Sequence, residues 1–131
     1  MMPVTVLVVD DDEDTRWLLA ATLRGNPGVT VVGSAGDGEE AVAFVRREHP
    51  DIVLMDLLIP RRDGLEATRR IKREWPNTKV IVLSVLAEEA YQVAASINGA
   101  DRFLKKAEIA VALLPAIRDV TGRTAGSTEA N

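Results

Sequence analysis

The chain has 131 residues, 47% of them hydrophobic and 27% charged, the balance of one globular domain that can bury a single core. It has no cysteine, which excludes disulfides and thiolate metal sites, and its formal net charge of −4 argues against a nucleic-acid surface. No apolar run approaches a membrane span and the N-terminus lacks a basic-then-apolar leader, so the expected location is the cytoplasm, with no membrane partner.

The first apolar run, "VLVV" at 6–9, predicts a strand and leads at once into Asp10, Asp11, Asp12, Glu13 and Asp14. Thr15, Leu19 and Leu23 then recur at helical spacing, and Gly25 can end that helix. A second strand is expected at 29–32. Asp37 followed by Glu40 resembles a capping box opening a helix that carries Ala41, Phe44 and Val45. "IVLM" at 52–55 predicts the third strand, with Gly64 beyond it in a turn that needs φ > 0. The third helix carries Leu65, Thr68, Ile71, Lys72 and Trp75 and stops at Pro76. A strand at 80–83, a helix over about 87–98 ending at Gly99, and a strand at 103–104 follow. The last helix covers about 108–120 and is expected to be interrupted at Pro115. Residues 1–121 read as one domain, and 122–131, small, polar and aperiodic, as a flexible tail.

Five strand–helix units whose strands are apolar on both faces predict an α/β fold with a doubly wound parallel sheet. Ligands of such sheets sit beyond the carboxyl ends of the strands. Strand one delivers Asp10 and Asp11 there, strand three Asp56, strand four Ser84, and strand five Lys105 and Lys106. Three crowded carboxylates repel one another, and a hard divalent cation removes that cost. Mg²⁺, which takes a few carboxylate oxygens and keeps open positions for phosphate, suits them. Ser84 could then donate to a phosphoryl oxygen and a lysine could pair another.

The segments "VVDD", "MDLLIPRRDG", "VLS" and "GADRFLKK" together resemble the receiver domain of two-component response regulators, over roughly residues 4–120. The resemblance implies a flavodoxin-like fold of five strands in order 2-1-3-4-5 with five helices. It implies Asp56 as phosphoacceptor, Asp10 and Asp11 as Mg²⁺-binding acids, and the Leu58 carbonyl as a further metal ligand. Ser84 takes the place of the switch hydroxyl, Phe103 that of the switch aromatic, and Lys106 that of the phosphoryl-contacting lysine. The implied donor is a sensor histidine kinase or a histidine phosphotransfer protein. The implied output is a downstream protein or a DNA-binding domain outside this sequence, and a phosphorylation-dependent dimer is compatible with it. "GADRFLKKAE" and "LLPAIRDV" are most similar to receivers of helix-turn-helix regulators. Such a chain catalyses only its own phosphorylation and dephosphorylation.

Three positions depart from that pattern. Ile59 stands where methionine is usual. Lys106–Ala107 replaces a lysine–proline pair, so a trans bond is expected. Val85 replaces a smaller residue and is expected to narrow access to the site. Simpler roles suffice elsewhere: Asp12 as a helix N-cap, Lys105 as a solvated strand end, and His49, the only histidine, with no chemical role.

Two rivals start from "DDDED". A haloacid-dehalogenase-type phosphatase needs Asp-x-Asp-x-Thr/Val, and Asp14 occupies the last position. A calcium loop starting at Asp10 needs Gly and Glu where Thr15 and Ala21 stand. The first helix is apolar beyond its core stripe, so Leu18 and Trp17 are candidates for a kinase-facing surface. The competing expectation is that Trp17 packs on the last helix.

Overall fold

The computed structural model describes residues 2–57, 59, 63–86 and 88–122. The order is β1 (Val4–Val9), α1 (Glu13–Leu23), β2 (Val29–Ala35), α2 (Gly38–Glu48), β3 (Ile52–Asp56), α3 (Gly64–Glu74), β4 (Lys79–Ser84), α4 (Glu89–Ile97), β5 (Arg102–Lys105) and α5 (Ile109–Thr121). A 3₁₀ turn at Lys106–Glu108 joins β5 to α5. All strand pairs are parallel and the order is β2-β1-β3-β4-β5, the doubly wound arrangement expected. Among the described residues no helix is long and apolar enough to cross a membrane.

Each central strand is buried on both faces, because helices cover both sides of the sheet. Alternate residues feed two cores. Val4, Val6 and Val8 join Leu19, Leu23, Leu113 and Ile117 on the α1/α5 side, while Leu7 and Val9 join Ala41, Val45, Ala67 and Ile71 on the α2/α3 side. The edge strand β2 is irregular. Val31 is the partner of Val6 and Gly33 that of Leu7, so Val32 is an extra residue. Gly33 is tolerated there because Phe44 lies against it; a Cβ would stand 2.4 Å from the Phe44 ring.

The helix starts follow from their caps. Asp12 Oδ1 accepts from the Asp14 N–H and its Oδ2 from the Thr15 hydroxyl, as an N-cap should. Asp37 accepts from the Glu40 N–H at 2.8 Å. Glu40 closes the box one residue early, accepting from Gly36 rather than from the cap itself. α4 is the weakly held member. It has no side-chain N-cap bond, and only Ala95 is buried.

Three expectations need correcting. α5 is not interrupted at Pro115; it runs from Ile109 through Thr121. Proline removes only the bond to the Val111 carbonyl, and both Val111 and Pro115 lie on the solvent face, where water can take that carbonyl. Trp75 lies outside α3 as its C-cap residue, and Lys106 opens the 3₁₀ turn instead of ending β5. The Lys106–Ala107 bond is trans, as expected. The proposed tail at 123–131 falls outside the described residues.

Thr68, on α3, is fully buried, and its hydroxyl has no hydrogen-bond partner among the described residues. Valine keeps the β-branched shape and removes the orphaned hydroxyl. Thr68→Val should therefore stabilise the domain by about 1 kcal/mol, read as a higher urea midpoint at unchanged m-value.

Candidate functional site

The carboxyl ends of β1 and β3 bring three acids together. One carboxylate oxygen from each of Asp10, Asp11 and Asp56 lies within 4.8 Å of the other two. Asp10 and Asp56 are buried, and Asp11 faces solvent. Burial of like charges this close is costly unless positive groups face them. Asp10 is held through both carboxylate oxygens and its backbone N–H. Its Oδ1 accepts from the Asp12 N–H at 2.9 Å, its Oδ2 accepts from Lys106 Nζ at 2.7 Å, and its N–H donates to the Ala35 carbonyl at 3.0 Å.

Lys106 is the pivot. Its ammonium also lies 3.3 Å from Asp56 Oδ1, so one cation bridges acids from two strands. Burial is the largest single influence on this ammonium and pulls its pKa down. The hydrogen bond to Asp10 and the charges of Asp56 and Asp10 outweigh that and leave the pKa above the ordinary 10.5. Lys106 is therefore charged at neutral pH. The exposed Asp12 carboxyl is held below the usual range, first by the Thr15 hydroxyl and then by the Asp14 N–H. Lys105, one residue earlier, is exposed and joins none of these contacts.

Ser84 ends β4 beside β3, where Asp56 is the register partner of Leu83. It is buried, and its Oγ accepts from the Leu86 N–H at 2.8 Å. That bond ties the hydroxyl to the start of the β4–α4 connection. Val85 is 72% exposed, so its methyls face solvent instead of narrowing the site. Phe103 is half-buried in the same core cluster as Leu86, Tyr91 and Ala100. Leu58, whose carbonyl was expected to bind metal, falls outside the described residues.

Two supports were not legible in advance. Arg16 reaches back along α1 to donate from Nη1 to the Asp10 carbonyl at 2.6 Å, fixing the end of β1. Gly64 was assigned a positive φ, yet it is the first residue of α3 and has none. Its reason is proximity: a Cβ there would stand 2.3 Å from the Asp56 carbonyl oxygen and 2.8 Å from that of Leu57. Only glycine lets α3 start against the backbone that carries Asp56.

Oxygen donors alone, three of them ionisable and converging on one point, are a set that fits Mg²⁺. Asp10, Asp11 and Asp56 would hold the ion; His49 is exposed and caps the end of α2, with a left-handed φ of 50°.

Comparison with known proteins agrees with this geometry. The response regulator receiver domain family matches residues 6–118. Over 106 residues the chain is 47% identical to a Myxococcus xanthus protein named protein-glutamate methylesterase/protein-glutamine glutaminase 4, covering 79% of this chain and 30% of that one. It is 38% identical over 115 residues to the transcriptional regulatory protein LiaR of Bacillus subtilis, covering 88% and 54%. The chain thus spans from under a third to about half of these relatives' lengths. The crystal structure of a CheX–CheY–BeF3–Mg²⁺ complex from Borrelia burgdorferi contains a similar fold, with a TM-score of 0.84 at 30% identity, covering 92% of this chain and 90% of that one. These matches do not support a haloacid-dehalogenase-type phosphatase. Matched along most of its length in both sequence and fold, the chain belongs to the receiver domains of two-component response regulators.

Proposed function

We propose that Asp56 is the phosphoacceptor and that its donor is a phosphohistidine on a partner sensor kinase or phosphotransfer protein. The observation that carries this is the Lys106 ammonium bridging Asp10 and Asp56 within a three-carboxylate cluster. Asp56, at the end of a buried strand, is held rigidly for in-line attack. A carboxylate oxygen of Asp56 bonds to phosphorus as the P–N bond to the donor imidazole breaks. Lys106, free to move between carboxylate and phosphoryl oxygen, balances charge on the transferred group, and the Ser84 hydroxyl donates to another of its oxygens. Bound Mg²⁺ would supply charge neutralisation on the phosphoryl oxygens, held by Asp10, Asp11, Asp56 and the Leu58 carbonyl.

Signalling then follows from Ser84. A hydroxyl turned toward a phosphoryl group changes its bond to the Leu86 N–H, which starts the connection into α4. Phe103 packs in the cluster that receives Leu86 and Tyr91, so that connection and the aromatic ring move together. The output is the face made by α4, β5 and α5, read in the cytoplasm by a downstream protein or by an output domain of the same polypeptide. Residues 1–121 act as the receiver and 122–131 as a tail.

Three outcomes test this reading. Incubated with Mg²⁺ and acetyl phosphate, the wild type should gain one phosphoryl group by intact mass and Asp56→Asn none; full labelling of the variant removes the assignment. Mg²⁺ at tenfold excess over its dissociation constant should stabilise the wild type by about 1.4 kcal/mol in urea melts. Asp11→Asn should lose most of that gain. Finally, Leu18 is 56% exposed on α1 near the acids, and Leu18→Asp should slow phosphoryl transfer from the kinase at least tenfold while acetyl phosphate labels it normally. Equal slowing with both donors would instead locate the damage in the acid site.

A further inference from the structure

Asp11 is the exposed acid of the cluster, and its carboxylate has no hydrogen-bond or ion-pair partner among the described residues. Asp10 and Asp56 are buried and face Lys106, so neighbours place their oxygens. Asp11 is placed through its main chain instead, by three bonds around it. The Asp12 N–H donates to Asp10 Oδ1 at 2.9 Å, which pins the peptide after Asp11. The other two bonds come from Arg16. Its Nη1 donates to the Asp10 carbonyl at 2.6 Å, which pins the peptide before Asp11, and its N–H donates to the Asp12 carbonyl at 3.1 Å. One residue of α1 thus brackets Asp11.

The two Arg16 bonds differ in kind. The N–H bond belongs to the first turn of α1 and does not depend on the side chain, whereas the bond to the Asp10 carbonyl needs the guanidinium. Among the described residues no second donor reaches that carbonyl. Released, the peptide could turn about ψ of Asp10 and φ of Asp11, and that φ sets the direction of the Asp11 side chain. The guanidinium is confined in its turn, since a Cβ on Gly36 would stand 3.3 Å from Nη1. Arg16 is only half-buried, and Trp17 beside it is 63% exposed, which sets aside packing on α5. A change at position 16 therefore removes no core side chain.

We propose that Arg16 is a positioning residue for the metal site: through the Asp10 carbonyl it orients Asp11 and so sets the affinity for Mg²⁺. The inference rests on the reading of Asp10, Asp11 and Asp56 as the Mg²⁺-binding acids. Two effects of the guanidinium oppose each other there. As a cation close to three carboxylates it repels Mg²⁺, so a purely electrostatic role predicts tighter binding once it is removed. As the group that holds a ligand's backbone it favours Mg²⁺, and such support behind a ligand is commonly worth roughly ten- to a hundredfold in metal affinity. The contact with the carbonyl is direct, while solvent at the half-buried side chain screens its charge, so positioning outweighs repulsion.

The test is isothermal titration calorimetry with Mg²⁺ alone, on the unphosphorylated full chain. Arg16→Met should bind Mg²⁺ roughly tenfold more weakly than wild type with normal far-UV circular dichroism. Arg16→Lys, which keeps the charge on a shorter reach, should fall between the two. The Mg²⁺ concentration for half-maximal labelling by acetyl phosphate should rise in Arg16→Met by the same factor as the dissociation constant, and the rate at saturating Mg²⁺ should change less. A merely structural role would lower the metal-free urea midpoint and leave the affinity of the folded protein unmoved. Arg16→Met that binds Mg²⁺ as tightly as wild type, or more tightly, overturns the proposal and leaves the metal reading standing. A wild type that binds no Mg²⁺, or an Asp11→Asn variant that binds it like wild type, overturns the metal reading and the proposal with it. Gly36→Val keeps Arg16 and its charge but crowds Nη1, so it carries the same test should Arg16→Met fail to fold. Its affinity should fall as well, and wild-type affinity in that variant overturns the proposal.

Discussion

Everything at the carboxyl edge of this sheet depends on one ammonium group. Lys106 is 96 residues from Asp10 in sequence, yet its Nζ sits 2.7 Å from that carboxylate and 3.3 Å from Asp56. Without a cation in that position, two buried carboxylates would face each other in a low-dielectric environment with nothing to offset their repulsion. With it, one charge-assisted contact to each acid offsets that repulsion within the protein itself. The lysine thus balances the charge of both acids and also completes the fold, since it fastens the end of β5 to the ends of β1 and β3.

The same edge shows how little room the backbone leaves. α3 begins against the carbonyls of Asp56 and Leu57, and the missing side chain of Gly64 is what permits it. Arg16 secures β1 from the other side through the Asp10 carbonyl. The backbone of Asp56 is thus bounded by α3 and that of Asp10 by Arg16, while both side chains are left to the charges around them. Rigidity resides in backbone contacts and reactivity in electrostatics, so a substitution can disturb one with little effect on the other.

The sheet, its parallel sense and the convergence of Asp10, Asp11, Asp56 and Ser84 were legible because strand periodicity and strand ends are local properties of the sequence. The caps at Asp12 and Asp37 were legible for the same reason. What escaped was tertiary. Gly64 signals only that a side chain is unwelcome, and whether φ or a neighbour is the cause depends on where Leu57 lies. Arg16 carries no sign that it will reach a carbonyl six residues back. Pro115 reads as a helix breaker by itself, and only its place on the solvent face makes it tolerable. Lys105 and Lys106 were adjacent candidates in the alignment of strand ends; the 3₁₀ turn that begins at Lys106 separates their directions and gives the inward role to one of them.

The loose seating of α4 has a kinetic side. A helix with a single buried residue and no side-chain cap has little to lose by opening, so its amides should exchange with solvent at a free energy far below that of global unfolding. Sub-global openings of that kind would keep minor arrangements of the β4–α4 region accessible before any phosphoryl group arrives. Phosphorylation then has only to favour one member of an existing ensemble, and the helix that responds is the one whose rearrangement costs the rest of the domain least.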